Sequence, residues 1–227
     1  MKDVLHLLES EREAERRFVA EAAGERAFPK GWSAGLLMAH IGSWRERLRG
    51  SLIEASRGEP ASKPPIDIEA VNAAQLARDA GISLQEGAAR AEAMLVDQID
   101  LWATLGDRPF AWFTAKTTGE ALVRNSYIHP RNHLGEHYLE RGDRTRGAEI
   151  FEETLVELRR AETPGHILAP AIYNLACARV AQARQEDALE LLAEAFSMRD
   201  VLRSDAAADP RLAPLKTNPG FQALLIG

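Results

Sequence analysis

The sequence predicts an all-α protein, and three observations carry the prediction. Ala and Leu dominate the apolar residues, at 38 and 27 against 8 Val and 11 Ile. Ala and Leu lose little freedom in a helix, whereas strands favour β-branched and aromatic side chains. No stretch alternates apolar and polar residues with period two; apolar positions recur instead at threes and fours, between Gly and Pro stops.

Read in order, the first helix runs from Asp3 to Ala23, with Gly24 as a left-handed stop. Its charged centre, Glu9 to Arg17, reads as a mostly solvated face of opposite charges three and four apart. Ser33 caps a second helix carrying Leu36, Leu37, His40, Ile41, Trp44 and Leu48 on one apolar stripe. Pro60, Pro64 and Pro65 make residues 57–67 a loop. A short helix covers Ile68 to Ala80 and ends at Gly81. Ser83 then caps a long helix whose Leu84, Ala88, Ala91, Leu95, Ile99 and Trp102 form a packing seam. Pro109, Phe110, Trp112 and Phe113 read as an apolar connector.

Thr117 and Glu120 have capping-box spacing and open a helix that runs to Arg141. Pro130 inside it removes the bond to the Ser126 carbonyl, so it either kinks this helix or starts a new one. Gly142-Asp143 reads as a boundary, which gives a four-helix bundle over 1–142 and a helical region over 143–227. The second region holds helices at Thr145–Ala161, Ala169–Ala183 and Glu186–Leu202. A Pro-interrupted tail with Leu212, Leu215, Phe221, Leu224 and Leu225 closes the chain as a short helical cap.

The composition excludes several classes. The 227 residues suffice for one or two domains, and 45% apolar with 27% charged residues excludes wholesale disorder. One Cys excludes a disulfide framework and suits a reducing compartment. No apolar run approaches the roughly 20 residues of a membrane span. The first residues turn charged too early for a signal peptide, so the expected location is cytoplasmic. With a net charge of −6 and no basic stripe with interleaved aromatics, neither nucleic acid nor a membrane is an expected partner.

Residues 171–178 and 186–196 resemble a tetratricopeptide repeat. Ala176, Ala188 and Ala195 stand where that repeat lets its two helices approach, and Ala183 replaces the usual turn glycine. Thr145 to Ala161 supplies half of another repeat at most. Cys177 belongs to the buried face as a small core residue.

Chemistry concentrates in the histidines. His129, His133 and His137 follow one another at one-turn spacing, and residues four apart share a helix face. Such a pair can hold one metal ion through its ring nitrogens. The string His133-Leu134-Gly135-Glu136-His137 also matches the inverted zinc-peptidase pattern, without an identifiable carboxylate ligand or cleft. A third ligand must come from another helix, and His40 is the candidate. Either His129 and His133 or His133 and His137 form the operative pair. Glu136, next to a ligand, is the candidate proton acceptor, with Glu140 as the alternative. Trp44, Trp112 and Tyr138 are candidate pocket walls.

The run Gly31-Trp32-Ser33 through His40 to Trp44 resembles the second helix of DinB/YfiT-like four-helix-bundle proteins. There, a Trp-Ser start precedes an apolar turn, a His and often a Trp. Residues 127–138 resemble that family's last bundle helix, and the likeness covers residues 1–142. It implies that His40, His133 and His137 occupy metal-ligand positions for nickel or zinc. It further implies a metal-dependent hydrolase or a thiol-dependent transferase acting on a small molecule, as a homodimer. Two features depart from the family: His129-Pro130 and the repeat-like extension. The alternative is a non-catalytic scaffold that offers a peptide or protein partner the C-terminal hairpin. A small-molecule resistance role, as in the related ClbS/DfsB-like proteins, lies between the two.

Overall fold

A computed structural model describes residues 2–24 and 31–226. The described residues are predominantly helical, and their one sheet is a two-stranded hairpin. None of the helices is long and apolar enough to cross a membrane. The chain divides into two compact units, one ending at His133 and one beginning at Leu134.

In the first unit, α1 (Val4–Ala22) ends on Ala23 in ordinary helical geometry, and Gly24 is not left-handed as the sequence suggested. Its charged centre is a solvated face only in part: Glu9, Glu13, Arg16 and Arg17 are exposed. Glu11 and Glu15, four residues apart, are buried and share the inward face with Leu8 and Phe18. Glu11 Oε2 accepts from Arg131 Nε at 2.5 Å, and Glu15 takes both terminal nitrogens of Arg45 at 2.7 and 2.9 Å. Buried carboxylates need such partners, which the local charge pattern of α1 could not reveal.

The next helix, α2 (Ala34–Ser56), starts as expected, the Leu36 amide donating to Ser33 Oγ at 3.2 Å. Ser83 and Glu86 form a reciprocal capping box that opens α4 (Leu84–Leu105). These two helices meet backbone to backbone: a Cβ on Gly87 would stand 2.3 Å from the Gly35 carbonyl oxygen. The buried seam of α4 is accordingly Gly87, Ala91, Leu95 and Gln98, rotated from the predicted one; Leu84, Ala88, Ile99 and Trp102 are only part-buried. Between them α3 (Ile68–Arg78) is capped by Asp67 and followed by Gly81 at φ 81°. The core is closed by α1, α2, α4 and the segment after residue 117.

The expected connector is a β-hairpin, β1 (Pro109–Trp112) against β2 (Ala115–Thr117), antiparallel with Trp112 opposite Ala115. The run after it is neither one kinked helix nor a fresh start at Pro130. It is α5 (Thr118–Val123), a π-helical turn (Arg124–Ile128) and α6 (His129–Glu140). The His129 amide donates to the Arg124 carbonyl, five residues back. Pro130 has no N–H for the Ser126 carbonyl, and Arg45 Nη2 supplies that bond at 3.1 Å. Gln98 completes the support, accepting from Ser126 Oγ at 2.5 Å and donating to the Arg45 carbonyl at 2.8 Å.

One unit ends at His133 and the other begins at Leu134, so α6 contributes residues to both. The second half of α6 packs on α7 (Arg144–Arg160) through two glycines. A Cβ on Gly135 would stand 2.6 Å from the Phe151 ring, and one on Gly147 2.7 Å from Leu139. Gly142, at φ 86°, makes the turn between them.

Further on, α8 (Gly165–Ala181) starts four residues earlier than expected and holds Pro170 near its start, where only the bond to His166 is lost. It packs on α9 (Gln185–Met198), with Ala176, Ala188 and Ala195 fully buried and Ala183 in the left-handed region at φ 61°. Then come α10 (Leu202–Ala208), a 3₁₀ turn (Pro210–Leu215) and α11 (Pro219–Ile226). Leu212, Leu215 and Phe221 are buried, and the 3₁₀ turn and α11 lie on α8 and α9. The chain's own tail thus covers part of the hairpin surface that a peptide would need.

Candidate metal centre

Two segments of the first unit bring three imidazoles together. His40 lies on the buried stripe of α2, and His129 and His133 occupy successive turns at the start of α6. Their ring centroids are 5.2 Å (His40 to His129), 4.9 Å (His40 to His133) and 4.6 Å (His129 to His133) apart. His129 Nε2 and His133 Nε2 face each other at 3.0 Å, and one nitrogen from each of the three rings falls within 4.8 Å of the others. Two nitrogens bound tetrahedrally to one Zn at about 2.0–2.1 Å would lie about 3.3 Å apart, close to the 3.0 Å of the His129–His133 pair, so the three rings could hold a divalent ion.

The nitrogens turned away are also informative. Nδ1 of His40 and Nδ1 of His129 are enclosed without a hydrogen-bond partner. His40 lines a cavity of about 260 Å³ together with His129 and His133, and its enclosed, unpaired nitrogen is Nδ1. His129 and His133 thus face each other through Nε2, and the ring of His40 closes the group beside the same cavity.

Burial keeps these rings neutral. It pushes His133 down to about 4, and burial with the neighbouring His133 pushes His40 down to about 3. His129 is held well below its ordinary value by burial first, then by His133, His40, Arg124 and Arg45. A neutral imidazole has the free lone pair that a metal requires.

Aromatic residues form the walls. Trp32 stacks on His133 at 5.6 Å and meets His40 edge-on at 4.7 Å. Trp44, one turn beyond His40, donates from Nε1 to Asn72 Oδ1 at 3.1 Å. Phe113 lines the cavity from the turn of the β-hairpin, with the Arg124 guanidinium 4.3 Å above its ring. Phe113 has φ 51°, an unusual conformation for a bulky residue and one that clusters at functional sites.

Of the predicted site residues, His40, His129 and His133 are brought together; His137 and Glu136 are not in that group. His137 is buried in the second unit, its ring 5.6 Å from Tyr138. Glu136 belongs to the same unit, where its Oε1 accepts from Arg211 Nη1 at 2.9 Å and burial raises its pKa. Glu140 is exposed in the second unit. Of the predicted walls, Trp44 lines the cavity, Trp112 is a fully buried core residue and Tyr138 lies in the second unit. Trp32, Asn72, Phe113 and Arg124 were not singled out as lining residues. Only Trp32 had a sequence signal, its place in the Trp-Ser start of the second helix.

Comparison with protein-family models, curated proteins and solved structures finds no match for this chain. The family likeness therefore rests on the motif residues alone.

Proposed function

We propose that the first unit is a divalent-metal module of the DinB-like four-helix-bundle type, with nickel or zinc held by His40, His129 and His133. The observation that carries this reading is the convergence of three neutral imidazoles, two of them Nε2 to Nε2 at 3.0 Å, beside a cavity. A bound divalent ion would act as a Lewis acid and lower the pKa of a water or thiol at its open position. Trp32, Trp44 and Phe113 hold a small molecule against the imidazoles and exclude bulk water; Asn72, anchored by Trp44, adds an amide to the rim. The reading extends to a metal-dependent hydrolase or thiol-dependent transferase of small molecules. His129-Pro130 belongs to the centre under this reading: the π turn that accommodates Pro130 ends on His129.

Metal analysis of untagged protein tests it. One nickel or zinc per chain is expected, with a fall in melting temperature on chelation. His40→Ala, His129→Ala and His133→Ala should each lose the metal, and His137→Asn should keep it. Absence of stoichiometric metal with melting unchanged by chelator would overturn the reading.

A further inference from the structure

Beside the imidazole group lies a buried amide that nothing yet described uses. Gln75, on α3, is 3% exposed, and neither its Oε1 nor its Nε2 has a hydrogen-bond partner. Native interiors rarely leave both ends of an amide unmade, and such a group calls for an explanation. Nδ1 of His40 is likewise enclosed and unpaired.

The register of α3 on α2 places the two opposite each other. Trp44 on α2 is tied to Asn72 on α3 by the Nε1 to Oδ1 bond of 3.1 Å. His40 precedes Trp44 by four residues, one turn of α2, and Gln75 follows Asn72 by three, one turn of α3. The helices run antiparallel, since Asn72 meets Trp44 while residues 82–84, just past α3, meet Gly35 at the start of α2; one step back along α2 from the formed pair is one step forward along α3, and it leads to His40 and Gln75. The Gln75 amide is accordingly the side-chain polar group that acts on the His40 ring, without a formed hydrogen bond between them.

We infer that Gln75 is a positioning residue of the metal centre: its Oε1 accepts from His40 Nδ1–H and fixes the tautomer that leaves the Nε2 lone pair facing His129 and His133. Metal-bound histidines almost always donate their second ring N–H to such an acceptor, which sets ring orientation and ligand basicity. The enclosed Nδ1 of His40 has the Gln75 amide beside it. The inference rests on the metal reading for its purpose; the tautomer itself does not need the metal.

The test uses the full chain with Gln75→Met, which keeps the volume and removes the acceptor, and Gln75→Glu, which keeps an acceptor. Long-range 1H–15N spectra of the metal-free protein should show His40 as the Nδ1–H tautomer in wild type and in Gln75→Glu. In Gln75→Met it should shift toward Nε2–H or a mixture. Zinc affinity, measured by competition with a chromophoric chelator, should fall about 10–100-fold in Gln75→Met and stay near wild type in Gln75→Glu. The visible band of the cobalt-loaded protein should shift only in Gln75→Met. An Nε2–H tautomer in wild type, or Gln75→Met with an unchanged tautomer and unchanged zinc affinity, overturns the inference. If wild type binds no zinc, the metal reading fails and the spectra alone decide about Gln75. If Gln75→Met does not fold, the wild-type tautomer and its retention in Gln75→Glu decide.

Discussion

The two units bury their polar groups in different ways. The first encloses whole ionic side chains: Arg45 and Arg131 are at most 1% exposed, paired with Glu15 and Glu11, and three uncharged imidazoles stand near them. The second is built on α8 and α9, where the buried set is mostly Ala, Leu, Ile and Phe, and its buried Arg179 pairs with Glu152, whose side chain is 44% exposed. Its polar cluster lies nearer the surface, with Asp209 accepting from Tyr173 Oη at 2.9 Å and from Arg211 Nη2 at 2.8 Å. Burying ions is weak evidence for stability, because the desolvation cost can equal the gain. Among the described residues, ion pairs with both partners enclosed occur in the first unit only, and they therefore point to a requirement other than stability. Arg45 shows what it is: it satisfies the carbonyl that Pro130 abandons, and so supports the π turn that ends on His129. In the second unit Cys177 behaves as a core residue, burial pushing its thiol up to about 12, beyond the range of a reactive thiolate.

The comparison breaks most visibly at Arg45. Arg45→Met leaves Glu15 buried without its partner and the Ser126 carbonyl without its donor, and should cost about 3–5 kcal/mol in denaturant unfolding. Arg45→Met combined with Glu15→Leu should recover part of that loss, because no lone charge remains. If the π turn depends on Arg45, the double variant still binds metal less tightly than wild type even where its stability returns.

In the second unit the largest effect is expected from close packing. Gly135→Ala places a Cβ 2.6 Å from the Phe151 ring and should cost about 1–3 kcal/mol through overpacking. Phe151→Leu in the same chain should relieve it. An additive double variant in thermal unfolding would show that the two positions do not meet.

Acid separates the units next. His40 and His133 have folded pKa values of about 3 and about 4, below an unfolded value near 6.5. Below pH 6.5 the unfolded chain therefore binds more protons, so their contribution is complete above 6.5 and is lost as pH falls toward 4 and 3. For buried His40 that loss is about 1.4 kcal/mol per pH unit. The charged groups that also lower the neighbouring His129 are Arg124 and Arg45, which oppose protonation further. Melting of chelated protein between pH 7 and 5 should be steeper in wild type than in His40→Gln. Equal slopes would show that His40 is not held neutral.

Much of this was legible in the sequence where the signal is local. Ser33 and Ser83 cap their helices, Gly81 and Gly142 take left-handed angles, and residues 57–67 stay non-helical. The helical class was legible for the same reason, since propensity sums over many residues. What escaped depends on partners remote in the chain. Nothing near Glu11 or Glu15 announces Arg131 or Arg45, so an ion-rich turn read as solvated. Pro130 correctly signalled a break, but a π turn needs the side chains of Arg45 and Gln98, more than 25 residues away. The choice between the two His pairs was left open in the sequence because helix spacing is identical for both. Gln75 carried no signal at all; an amide in an Ala-rich helix is ordinary until its burial is seen.

The smallest expected effect is at Arg211, and it sharpens the contrast because its side chain makes five hydrogen bonds against four for Arg45. Arg211 reaches Asp209, Glu136 and Asn174, yet its side chain is 39% exposed. Water can replace each of those bonds, so Arg211→Met should cost about 1 kcal/mol or less by denaturant unfolding. It should also leave metal content untouched, because the group it holds, Glu136, is not among the three converging imidazoles. A loss as large as that of Arg45→Met would mean that bond number, and not enclosure, sets the cost of an arginine in this chain. A loss of metal would return Glu136 to the centre.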